Sequence, residues 1–90
     1  MITLSEAIRL CDIDIDEEPI YLRAADDPKM EEHYFWGRKL CNRLDCKRIK
    51  VVTIRPRFEK YGVDFLGMLF VVRGIAAEDL RRESNYCMQH

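Results

Sequence analysis

The stretch "FLGMLFVV", residues 65–72, decides how this chain folds. In an extended chain alternate side chains point to opposite faces. Phe65, Leu69 and Val71 therefore take one side, and Leu66, Met68, Phe70 and Val72 the other. Both sides are apolar, and a strand of that kind belongs inside a sheet, covered above and below. It is far too short to cross a bilayer, which needs about 20 apolar residues.

Working outward, "EKYG" at 59–62 supplies a turn, with Gly62 free to take positive φ. It joins the strand at 64–73 to one at 49–55. Pro56 has no N–H to give a ladder, which sends that second strand to the sheet edge or ends it there. "PIYLR", 19–23, alternates and is β-prone, and "DDP" at 26–28 closes it, opening an exposed acidic loop over 26–33. These strands predict the sheet order 2-3-1, with strands 2 and 3 an antiparallel hairpin.

Three helices complete the pattern. Thr3 and Glu6 match a capping box around Leu4, Ala7, Ile8 and Cys11, which share one stripe. Trp36 to Asp45 puts Trp36, Leu40, Cys41 and Leu44 on one face, although Gly37 weakens the first turn. Ala76 to about Tyr86 carries Glu78 and Asp79 ahead of Arg81 and Arg82, the order a helix macrodipole favours. The expected fold is α+β, a single domain over 1–90 in the order αβαββα. Helices cover one sheet face, and the C-terminal helix or a second copy of the chain covers the other.

Ninety residues at 48% hydrophobic content are too few for two cores and too apolar for a disordered chain. Cys11, Cys41, Cys46 and Cys87, without a basic-then-apolar leader, read as reduced thiols in a cytoplasmic protein. The net charge of −1 hides a division. Residues 1–35 hold ten acids and three bases, and residues 36–90 hold twelve bases and six acids. Such a split marks either an interaction surface or two halves that face each other in the fold.

"KRIKVVTIRPRFEK", 47–60, concentrates six of the bases. Strict alternation puts Arg48 and Lys50 on one side and Arg55 and Arg57 on the other, whereas a groove-reading ribbon gathers its cations on one face. No recognition helix, glycine-rich clamp or RNA-binding aromatic pair accompanies them. A solvated edge that discourages strand pairing explains these bases most simply. Nucleic-acid binding through Arg55, Arg57 and Lys60 is the alternative.

Other motifs are incomplete. "DIDIDEE", 12–18, begins like a calcium loop but has Glu17 where glycine is needed and Arg23 where glutamate is needed. Cys41 and Cys46, with His33, Cys87 and His90, lack the close-spaced pairs of structural zinc, so no metal or other cofactor is expected. No glycine-rich phosphate loop or nucleophile elbow occurs, and a Cys–His pair would have to draw on His33 in a loop. "HYFW", 33–36, clusters aromatic rings that pack a helix entry or, at Tyr34 and Trp36, anchor a partner.

The expected function is therefore non-enzymatic protein binding. Asp12, Asp14, Asp16, Glu17, Glu18, Asp26, Asp27, Glu31 and Glu32 would face a basic, nucleic-acid-binding site on the partner. In size and charge split the chain is similar to small phage or mobile-element inhibitors, anti-CRISPR proteins among them. That similarity covers no motif and transfers no residue. A small nucleic-acid-binding regulator, monomeric or a homodimer, is the rival.

Overall fold

The chain runs in the order αββαββα. A computed structural model describes residues 1–59 and 61–84. Its elements are α1 (Leu4–Leu10), β1 (Pro19–Ala24), β2 (His33–Trp36), α2 (Gly37–Arg43), β3 (Lys50–Phe58), β4 (Phe65–Arg73) and α3 (Ala77–Glu83). The class is α+β, as expected. Among the described residues no helix is long and apolar enough to cross a membrane.

The sheet order is β2-β1-β4-β3, with β1 and β4 parallel and both outer pairs antiparallel. The three expected strands keep their expected order, and the β3–β4 hairpin is present. The sheet has four strands instead of three because "HYFW" is itself a strand. Its residues alternate buried and open, and Trp36 pairs with Pro19 across β1 before serving as the N-cap of α2. The helical spacing of Trp36 with Leu40 masked that alternation.

α1 begins as the sequence dictates. The Thr3 hydroxyl accepts from the Glu6 N–H, and the Glu6 carboxylate accepts from the Thr3 N–H. Residues 2–4 then lie along the outer edge of β3, where Leu4 N donates to Ile49 O and Val51 N to Ile2 O, each at 2.8 Å. Gly37 has a packing reason. A Cβ there would stand 2.6 Å from the Ile15 Cα, so glycine lets the 12–18 loop close against α2.

One core holds these elements together. Leu4, Ala7 and Ile8 of α1, Leu40 of α2 and Leu80 of α3 pack on Ile20, Leu22, Phe35, Phe70 and Val72. All three helices thus cover the same sheet face. The C-terminal helix does not cross to the other side, as one expectation had it. It ends at Glu83 with Ser84 as its C-cap, and the rest of the helix expected to Tyr86 lies outside the described residues.

Two local expectations change. Gly62 is not at positive φ; Gly67 (φ 144°) and Gly74 (φ 93°) are. The alternation of bases along β3 is broken by a register shift between Val51 and Thr53. Before it, Lys50 stands opposite Arg73 and Val51 opposite Val72; after it, Thr53 stands opposite Val71. The extra residue resets the parity of the strand. Lys50 therefore falls on the same face as Arg55 and Arg57, not on the opposite one.

Candidate functional site

The face of the sheet turned away from the helices carries no helix among the described residues. Its composition follows from register. Tyr34, Tyr21, Leu69 and Arg55 form one row across the four strands, and Arg23, Val71 and Thr53 form part of the next. Trp36 opposite Pro19, Gly67 opposite Arg57, and Lys50 opposite Arg73 complete it. Leu69 and Val71 are 3% and 5% exposed although they stand outside the helix-covered core. In register they stand beside Tyr21 and Arg55, and beside Arg23 and Thr53, and arginine stems can cover apolar surface while their heads stay wet.

Aromatic rings gather on the β2–β1 side of this face. Tyr21 meets Tyr34, and Tyr34 meets Trp36, each with ring centroids 5.4 Å apart and planes near perpendicular. Edge-to-face geometry of this kind fixes ring positions without stacking them on one another. Trp36 is the most open of the three, at 47%. Burial, and secondarily the Tyr21 neighbour, push the Tyr34 phenol up, which keeps it neutral. Gly67 makes room for Tyr21. A Cβ there would meet the Pro19 carbonyl oxygen at 3.0 Å and the Tyr21 ring at 3.3 Å.

Cations border the rings. The Arg57 guanidinium carbon sits 5.6 Å from the centre of the Tyr21 ring, within cation–π range. Its Nε lies 2.8 Å from Glu32 Oε1. That pair is a charge contact without an aligned hydrogen bond, because Nε is buried and has no hydrogen-bonding partner among the described residues. Arg55 and Arg73 are exposed, and Arg23 is half-buried.

The carboxylates expected to form one docking surface stand at the two ends of β1. Asp12, Asp14, Asp16, Glu17 and Glu18 precede it, and Asp26, Asp27, Glu31 and Glu32 follow it. A six-residue strand separates them by roughly 20 Å. Several are engaged within the molecule. Asp16 accepts from Arg38 Nε (2.5 Å) and Nη2 (3.0 Å), which holds its carboxyl below the usual range. Glu31 pairs with Arg81 at 2.8 Å. Asp27 accepts from the Lys29 and Glu31 N–H groups, Asp14 from the Asp16 N–H, and Glu18 from the Asp14 N–H. Asp12, Glu17 and Asp26 are exposed.

Tyr34, Trp36, Arg55 and Arg57 thus share one face, whereas Lys60 lies outside the described residues. Tyr21, Arg23, Lys50 and Arg73 were not singled out from sequence. The alternation of "PIYLR" carried a signal for Tyr21 and Arg23, and that of β4 carried one for Arg73, but Lys50 required the bulge and the β3–β4 register. No three of the described His, Cys, Asp and Glu side chains gather as a metal site requires. A pocket of about 490 Å³ at the ends of β1 and β4 is lined by Ala25, Asp26, Arg73, Gly74, Ile75 and Ala76, and so presents one carboxylate and one guanidinium. No family model matches this chain, and neither does any curated protein or any solved structure.

Proposed function

We propose that the chain is a non-enzymatic binding module that takes single-stranded nucleic acid on the sheet face turned away from the described helices. What supports this is one grouping: Trp36, Tyr34 and Tyr21 lie beside Arg57, Arg55 and Arg23 on a sheet side without a helix among the described residues. Aromatic rings stack bases without regard to sequence, at about 1–3 kcal/mol per base, and flanking cations track the phosphates. Duplex bases are already stacked, so this chemistry favours single strands. Acid-faced docking onto a protein draws on no comparable grouping, since its carboxylates are divided between two ends of β1.

Trp36 is the only tryptophan, so its emission reports on the site directly. Titration with single strands of about 12 nucleotides at low salt is expected to quench it. Duplex of the same sequence is expected to bind less well. Affinity should fall with salt at a log–log slope of about −0.7 per phosphate contact, and Arg55→Ala should remove about one such contact. Single strands that fail to bind, or that bind Trp36→Ala and Arg55→Ala as well as the unaltered chain, would refute the proposal. Sedimentation that shifts with concentration while Trp36 becomes shielded would assign the face to self-association.

A further inference from the structure

Arg57 and Glu32 are in close contact, yet the buried Nε at that contact makes no hydrogen bond among the described residues. Elsewhere the fold builds an aligned arginine fork: both Nε and Nη2 of Arg38 donate to the Asp16 carboxylate. Arg57 instead touches Glu32 with a buried Nε that has no hydrogen bond among the described residues, while its guanidinium covers the Tyr21 ring. The side chains of the pair are 38% and 27% exposed, so strand binding at this face reaches both. A phosphate offers oxygens that accept two parallel N–H bonds from a guanidinium, the geometry that Glu32 does not achieve.

We propose that Glu32 is a built-in competitor for the site: it occupies Arg57 as a phosphate would and holds the guanidinium over Tyr21 until a strand displaces it. This rests on the nucleic-acid function proposed above. Displacement does two things at once. It gives the strand a cation, and it uncovers the Tyr21 ring next to Tyr34 and Trp36. Glu32 sits immediately before β2, so the competitor is carried on the strand that supplies two of the rings.

The test measures binding of a labelled single strand by anisotropy for the unaltered chain, Glu32→Gln and Glu17→Gln. Glu17 is exposed, and it is Glu32 that pairs with Arg57, so substitution of Glu17 removes the same charge while leaving that pair in place. Glu32→Gln is expected to bind about fivefold tighter, the upper range for a partly exposed ion pair. Glu17→Gln should gain far less. The gain from Glu32→Gln should vanish in an Arg57→Ala background, and Glu32→Ala should reproduce it if the glutamine re-forms a contact. Equal gains from Glu17 and Glu32, or a gain that persists without Arg57, would overturn the competitor role and leave the binding function standing. Failure of every variant and of the unaltered chain to bind a single strand would remove both.

Discussion

The ring of Tyr21 lies across Gly67, its Cε2 3.3 Å from the point where a β-carbon on residue 67 would stand. The glycine also holds φ at 144°, a conformation that side chains rarely adopt. One residue thus serves the backbone at the Arg57–Phe58 register shift and clears the space in which the central ring of the open face sits. Gly67→Ala should cost about 1–3 kcal/mol, combining backbone strain with the displaced ring. Urea denaturation checks this, and a midpoint equal to that of the unaltered chain would show that the ring does not depend on the glycine.

Stability should fall with acid through His33. This side chain is 3% exposed on β2, and its Nε2 has no hydrogen bond among the described residues. Burial lowers its pKa below the ordinary value of 6.5; Glu31 and Asp27 oppose that shift and Arg81 adds to it. The unfolded chain therefore binds a proton more readily than the folded one. Stability is fully present above the unfolded value and declines as pH falls through about 6.5 toward the folded value. Thermal midpoints at about pH 7 and 5 should differ more for the unaltered chain than for His33→Gln. Equal shifts would exclude His33 as the cause.

Two cysteines near the end of α2 should react very differently. Cys41 is exposed, whereas Cys46 is buried and its thiol is pushed up to about 12, first by desolvation. The thiolate is the nucleophile, so Cys46 presents almost none at neutral pH. Iodoacetamide at about pH 8, followed by peptide mass mapping, should label Cys41 and spare Cys46 until denaturant is added. Comparable native labelling of Cys46 would contradict its burial.

The junction of α1 and β3 should depend on Thr3. Its hydroxyl caps the helix, and residues 2–4 hydrogen-bond along the β3 edge. Thr3→Ala should cost about 1 kcal/mol, the usual value of an N-cap, while Thr3→Ser should cost much less. Equal losses from both would point to the threonine methyl group instead of the cap.

Gly37→Ala should be more damaging than its helical position suggests. In an open helix alanine is favoured over glycine. Here the added carbon would stand 2.6 Å from the Ile15 Cα, and backbone cannot rotate away as a side-chain tip can. A loss of about 1–3 kcal/mol by urea denaturation is expected, as for other overpacked sites. A stabilised variant would mean that the 12–18 loop yields easily.

Features that depend on neighbours along the chain were legible before folding. The capping box at Thr3 and Glu6, the two-faced apolar pattern of β4 and the β3–β4 hairpin are all written in spacings of a few residues. They were enough for the α+β class and for the order of three strands. "HYFW" was obscured because four residues satisfy a strand alternation while Trp36 also fits the stripe of the helix that follows.

Which charges and rings meet depends on contacts made across the fold. Asp16 finds Arg38 22 positions away, and Glu31 finds Arg81 50 positions away, so the acidic half is partly neutralised by contacts that no local pattern encodes. The bulge beside Val52 exists only because β3 pairs with β4 in that register, and it moves Lys50 to the face of Arg55 and Arg57. Side-chain direction alternates predictably along a strand until an extra residue intervenes. Where that residue falls is set by packing between strands, and it is this packing that brings the aromatic and basic groups together on the open face.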